Sequence, residues 1–262
     1  MISHCIRYQR GDDMNLKGAV AIVTGGSGGL GQRLCHALAK AGSHVAVVYN
    51  QRRDLALDVV HHVQELGVRA EPFQCDVRDP GQVQNLVSQV LEAFKRVDIL
   101  INDAGYNKWI SFDDLEGLTH EEWNKILDIN LTGPMLCIKA AAPAMKRQGT
   151  GRIVNISSRA GLGPSGSSIA YAVSKAGLIH LTRCMAVGLA PEILVNCVAP
   201  GYIEGTRATA NLDPTFQKNA VEESLLKRAV DGNDIASQVL AFCQTDSITG
   251  QTLVIDCGRY FH

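Results

Sequence analysis

Between residues 19 and 42 the chain passes from an apolar run into a glycine cluster and then into a helical pattern, and that order constrains the fold of the whole chain. Residues 19–24 read Ala-Val-Ala-Ile-Val-Thr, with no polar residue before the terminal threonine. A strand buried on both faces has this composition, and such strands belong to parallel sheets covered by helices. Next come Gly25-Gly26-Ser27-Gly28-Gly29-Leu30-Gly31 and a helical pattern through Leu34, Leu38 and Ala41, closed by Gly42. A glycine-rich stretch alone is often just a loop. Between a strand and a helix it is a phosphate cradle, because bare backbone N–H groups and the helix N-terminus can face a pyrophosphate. Gly25, Ser27, Gly28, Gly29, Leu30 and Gly31 are therefore assigned to dinucleotide binding.

The alternation continues with a strand at 45–49, a helix at 54–66, a strand at 70–74, a helix at 81–94 and a strand at 97–102. Repeated βα units without a linker predict an α/β protein, one doubly wound (Rossmann) domain with helices on both faces of a parallel sheet. That domain spans residues 14–262, preceded by a polar arm at 1–13 that is expected to add nothing to the fold and lacks the apolar core of a signal peptide. Hydrophobic residues make up 46% and charged ones 19%, which argues against disorder. A net charge of -1 gives no electrostatic reason to expect nucleic acid or an anionic membrane as partner. The eight cysteines form no CxxC and have no histidine at ligand spacing. They read as small core residues in a reducing, cytoplasmic compartment, with no metal site. His61 and His62 are adjacent, so on a helix their rings diverge and share no metal.

Polar signals gather where strands end, the edge at which such sheets bind ligands. After the second strand come Asn50, Gln51, Arg52 and Arg53, with no acid until Asp54. An acid there would hold a ribose 2′-hydroxyl; two guanidiniums in its place favour a 2′-phosphate, hence NADP(H) over NAD(H). The third strand is followed by Asp76 and Val77, the fourth by Asn102, Asp103, Ala104 and Gly105. Asp76 could equally cap the next helix. An amphipathic pattern then runs unbroken over 119–147 and predicts one long helix with Asn130 inside it. Asparagine is a poor mid-helix choice unless its side chain or a locally opened backbone is used. A buried strand at 151–158 ends in Ser157 and Ser158. Thirteen residues on stands Tyr171-Ala-Val-Ser-Lys175. Tyrosine and lysine four apart share one helix face, and an ammonium beside a phenol lowers its pKa. Such a phenol can move a proton to or from a carbonyl oxygen near neutral pH, with the serine as oxyanion donor.

Taken together, Thr24-Gly25 through Gly31, Asp76, Asn102 through Gly105, Asn130, Ser158, Tyr171 with Lys175, and Pro200-Gly201 resemble the short-chain dehydrogenase/reductase superfamily. The resemblance covers roughly 17–258. Trp123-Asn124, Asn130 through Gly133, 152–158, 195–204 and 248–253 are most similar to 3-oxoacyl-[acyl-carrier-protein] reductase-like members. It implies a seven-stranded sheet, Tyr171 as acid/base, Ser158 as the substrate-orienting hydroxyl, and Asn130 as holder of a relay water. It further implies Lys175 on the nicotinamide ribose, Pro200, Gly201 and Ile203 beside the nicotinamide, and a homotetramer or homodimer. Residues 202–227 are expected to form a lid over the substrate, and the aromatic C-terminus to be buried against another subunit.

Four positions depart from the family pattern. Asp103 stands where asparagine is common, Leu194 where arginine is, Cys257 where glycine is. Gly205 falls where a threonine usually contacts the nicotinamide carboxamide, with Thr206 one residue late. The function implied is NADP(H)-dependent reduction of a small-molecule ketone to a secondary alcohol. The rivals are an NAD-dependent alcohol, sugar or steroid dehydrogenase working oxidatively, and a non-catalytic dinucleotide-binding protein. The last commonly loses the tyrosine or lysine, and both are present here.

Overall fold

The computed structural model describes residues 14–261. The amino-terminal arm, Cys5 and His262 lie outside them. Seven strands form one parallel sheet: β1 (Val20–Thr24), β2 (His44–Tyr49), β3 (Ala70–Gln74), β4 (Ile99–Asn102), β5 (Gly151–Ile156), β6 (Ile193–Pro200) and β7 (Thr252–Ile255). Their spatial order is β3-β2-β1-β4-β5-β6-β7. The chain thus builds outward from β1 to β3, then returns to the other side of β1 with β4. That reversal leaves a crevice beyond the carboxyl ends of β1 and β4, the switch point where doubly wound sheets take ligands.

The two faces are buried under separate layers of helix. On one side α1 (Gly29–Lys40), α2 (Arg53–Gln64) and α9 (Gly232–Gln244) pack Leu34, Leu38, Val63 and Val239 against Ala21, Val23, Val45 and Val47. On the other, α3 (Pro80–Phe94), α5 (Gly133–Gln148) and α6 (Ile169–Leu189) meet Ile22, Val48, Leu100 and Ile153 through Leu86, Val90, Ile138 and Ala186. Strands buried from both sides need apolar residues at every position, which is why they read as runs without alternation. Helix starts are set by local chemistry. Asp79 accepts from the N–H groups of Gly81 and Gln82 at the head of α3, so this residue, not Asp76, is the cap.

The one long helix expected over 119–147 is instead two. α4 (His120–Leu127) passes into a π-helical turn at Asp128–Thr132 before α5 begins. The cause lies at Pro134. In an α-helix the N–H of residue 134 would close onto the Asn130 carbonyl, and proline has none. The turn widens, and Gly133 N–H bonds back to the Asp128 carbonyl instead.

Cys35, Cys75, Cys137, Cys197 and Cys243 are buried, as small core residues are. Cys184 is exposed on α6 and Cys257 is half-buried, contrary to the uniform core role expected. Tyr260 is half-buried while Phe261 is exposed. The remaining helices, α7 (Arg207–Ala210) and α8 (Pro214–Glu222), follow β6. Among the described residues no helix is long and apolar enough to cross a membrane.

Candidate active site

The crevice at the switch point is a cleft of about 530 Å³. Gly25, Ser27, Gly28, Gly29 and Leu30 form one wall. The turn sits so close to the loop after β4 that a Cβ on Gly25 would lie 2.9 Å from the Ala104 Cα. Gly25 also holds φ +69°, a region side chains disfavour. Gly31 does not line the cleft. A side chain there would be driven into the Gly25 carbonyl, so it serves to close helix onto turn. Thr24 Oγ1 joins the two loops, accepting from Asp103 N and Ala104 N at 3.1 Å each. This bare-backbone cradle at a helix start fits a dinucleotide pyrophosphate.

Asn50, Gln51 and Arg52 carry the cleft past β2. Arg52 is ion-paired with Asp54 at 2.7 Å. Arg53, assigned to the same role, is the first residue of α2, is exposed and does not line the cleft. Asp76 and Val77 line the cleft after β3, and with them Arg78, which sequence reasoning missed. Arg78 clasps the Asp76 carboxylate at 2.5 Å and holds it below the usual carboxylate range. An arginine two residues past the strand-end acid was the available signal.

Ala104 and Gly105 line the cleft, but the Asn102 side chain does not. It donates to Asn155 Oδ1 at 2.8 Å, and Asn155 donates to Thr182 Oγ1 at 2.9 Å. In the register, Thr24, Asn102 and Asn155 are neighbours across three strands. Asn102 therefore braces the sheet edge. Pro200, Gly201 and Ile203 complete the far wall, joined by Thr206. The Thr206 hydroxyl engages that of Thr209 at 2.9 Å, and Gly205 does not line the cleft.

Ser158, Tyr171 and Lys175 line the same cleft, with Ser157 beside them. Ser168 caps α6 by accepting from Tyr171 N–H, which sets the phenol in the first turn and Lys175 one turn on. Lys175 Nζ donates to the Ile156 carbonyl at 2.8 Å and lies 5.8 Å from the Tyr171 ring centre. The phenol is not depressed in this state. Burial raises the Tyr171 pKa, the Ser158 hydroxyl works against that, and Asp103 adds to the rise. Lys175 is itself brought down to about 8 by burial, opposed by the charge of Asp103.

Asn130 sits in the π-turn, fully buried and away from the cleft lining. Its Oδ1 accepts from Tyr106 N at 2.8 Å, and its Nδ2 donates to Tyr106 O and Ser174 Oγ at 2.9 and 3.1 Å. The side chain expected to hold a water is thus committed to protein groups. Its main-chain carbonyl cannot accept from residue 134, because proline has no N–H.

Asp103 also faces the cleft, with no hydrogen bond or ion pair to its carboxylate among the described residues. Burial raises its pKa to about 7, with Lys175 pulling the other way. An unfolded aspartate ionises near ~4. Between those values the unfolded chain has released a proton that the folded chain keeps, so this group lowers stability as pH rises from about 4 to about 7, and the penalty stays constant above. Asp103→Asn is expected to raise Tm at pH 8 and to change it little at pH 4, measured by thermal unfolding. An equal shift at both pH values would contradict this.

A short chain dehydrogenase family model matches residues 19–217. A 3-oxoacyl-[acyl-carrier-protein] reductase of Staphylococcus epidermidis is 36% identical over 245 residues, 92% of this chain and 98% of the relative. A short chain dehydrogenase of Burkholderia cenocepacia, solved in complex with NADP, superposes with a TM-score of 0.86 at 34% identity, covering 94% of this chain and 99% of that one. An NAD+-bound xylitol dehydrogenase reaches the same TM-score at 30% identity, over 93% and 99%. The chain belongs to the short-chain dehydrogenase/reductase family and is an NAD(P)-dependent oxidoreductase acting between hydroxyl and carbonyl groups.

Proposed function

We propose that the protein reduces a ketone to a secondary alcohol with NADP(H), as a carbonyl reductase similar to 3-oxoacyl-[acyl-carrier-protein] reductases. The observation that carries this reading is that Ser158, Tyr171 and Lys175 share one cleft with the glycine turn. The dinucleotide, held by that turn and the β4 loop, supplies the hydride when bound. Ser158 donates to the substrate carbonyl oxygen, and Tyr171 gives it the proton as negative charge develops. A phenol that burial keeps protonated is in the form that gives a proton to a carbonyl oxygen. Lys175, anchored on Ile156, holds positive charge beside the phenol and meets the nicotinamide ribose. Asn130 acts through the π-turn it occupies, where a carbonyl released from residue 134 would hold a water that restores the proton.

Arg52 and Arg78 are the cations of the cleft beside β2 and β3, and both support NADP(H) over NAD(H). A xylitol dehydrogenase with NAD+ stands among the similar structures, so the choice rests on these residues. Residues 202–227 are read as a lid, supported by Leu212, Phe216 and Ala220, which line a second, smaller pocket beside Tyr171. A cytoplasmic homotetramer or homodimer belongs to the same reading. Val173, Cys184 and Val187 form an exposed stripe along α6 that suits a subunit contact.

Tyr171→Phe is expected to lower kcat/KM for NADPH-dependent ketone reduction by on the order of 10²–10⁴-fold while leaving NADPH affinity nearly intact. Retained turnover would remove Tyr171 from the role. Arg52→Ala or Arg78→Ala is expected to weaken NADPH by about tenfold more than NADH, as loss of a charge-assisted contact does. Arg53→Ala should change neither. Equal losses for the two dinucleotides in a binding titration would count against a 2′-phosphate site.

A further inference from the structure

The smaller pocket carries charge that hydride and proton transfer do not use. It is a hollow of about 80 Å³ that shares Asn107, Ser158, Tyr171 and Gly201 with the main cleft. Arg159, directly after Ser158, lines it together with Arg259 from the far end of the chain. The Arg159 guanidinium has no hydrogen-bond or ion-pair partner among the described residues, although the residue is half-buried. Arg259 is tied to Glu223 through one terminal nitrogen. Ser167 lines the same hollow, and its Oγ is buried without a partner. The hydroxyl is positioned by its own backbone, since Ser167 O accepts from Ile110 N at 2.8 Å.

Unpaired buried donors and like charges brought together are unfavourable unless something answers them. Burial and the charge of Arg259 both hold Arg159 below the usual arginine range, while Asp256 and Glu223 oppose the shift. Both acids lie outside the hollow. Glu223 is occupied by Arg259. Asp256, whose charge reaches Arg159, accepts from Gly258 N and Arg259 N through Oδ1 at 3.0 and 3.1 Å and keeps a buried, unpartnered Oδ2. The hollow therefore presents two guanidiniums and one open hydroxyl next to the phenol, and no carboxylate.

We propose that this hollow receives a small oxyanion carried by the substrate a few bonds from its carbonyl, so that the ketone reduced is a short anionic one. A planar guanidinium fork matches a carboxylate or phosphate, and a pocket of this size takes a head group, not a long acyl chain. The proposal rests on the reading of Ser158 and Tyr171 as the carbonyl-binding pair.

The test is calorimetric titration of the full chain, with NADPH present, by malonate, inorganic phosphate and uncharged dimethyl malonate. Malonate or phosphate is expected to bind at least about tenfold more tightly than the diester, and the better of the two identifies the head group. Arg159→Gln should weaken the preferred anion by about tenfold or more, with Arg159→Lys falling between. NADPH affinity, read for each variant, reports whether the fold is intact; where Arg159→Gln loses it, Arg159→Lys carries the comparison. No anion affinity in the parent protein, equal affinity for malonate and its diester, or an Arg159→Gln protein that binds the anion unchanged would overturn the proposal. Anion binding through Arg159 in a protein that reduces no ketone would instead sink the functional reading and support the pocket.

Discussion

A single buried ammonium ties the sheet to the helix that carries the proposed acid. Lys175 Nζ reaches across to the Ile156 carbonyl at the carboxyl end of β5, and the residue is 5% exposed. Burying a charge is costly unless it is bonded and paired, so this contact must hold for the cleft to keep its shape. Around it the backbone is drawn in closely. A Cβ on Gly161 would lie 2.6 Å from the Lys175 carbonyl carbon, and Ser157 Oγ donates to the Lys175 carbonyl at 2.8 Å. The segment that carries Ser158 and the helix that carries Tyr171 are thereby fixed against each other.

The same edge of the sheet is braced by a polar row. Thr24, Asn102 and Asn155 sit side by side at the strand ends and pass hydrogen bonds from the β4 loop to Thr182 in α6. Thr24 Oγ1 satisfies two backbone N–H groups of the β4 loop, while Asn102 and Asn155 bond side chain to side chain and leave Asn102 Oδ1 buried without a partner. The cleft therefore opens against a stiff floor. Its electrostatics follow from burial more than from pairwise contact: Asp103, Tyr171 and Lys175 are each shifted mainly by loss of water. A bound ligand that changes the local charge acts on all three.

How much of the fold and the site is legible in the sequence depends on how local the cause is. Buried strands announce themselves as apolar runs, so β3 matches the expected 70–74 and the others end within a few residues. The π-turn is hidden because the apolar pattern of α4 continues into α5, although Pro134 and the misplaced Asn130 both mark it. Arg52 and Arg53 differ by one residue and face different ways, a distinction that needs the phase of α2 at its first turn. Asn102 looks like a ligand contact at a strand end, yet its partner Asn155 belongs to a neighbouring strand that sequence spacing cannot reveal. The raised pKa of Tyr171 likewise depends on how deeply the fold encloses the ring, and the approach of Arg159 to Arg259 joins residues a hundred positions apart.

Tyr171 is held above its ordinary pKa chiefly by burial in the cleft, so a positive charge bound beside it there should bring it down. Tyrosinate absorbance followed against pH, with and without saturating NADP+, tests it directly, using Tyr171→Phe to identify the signal. The positive nicotinamide ring should bring one tyrosine into titration at lower pH, and the Phe variant should lack that step. Superimposable titrations with and without the dinucleotide would show that the phenol does not face the cleft as described.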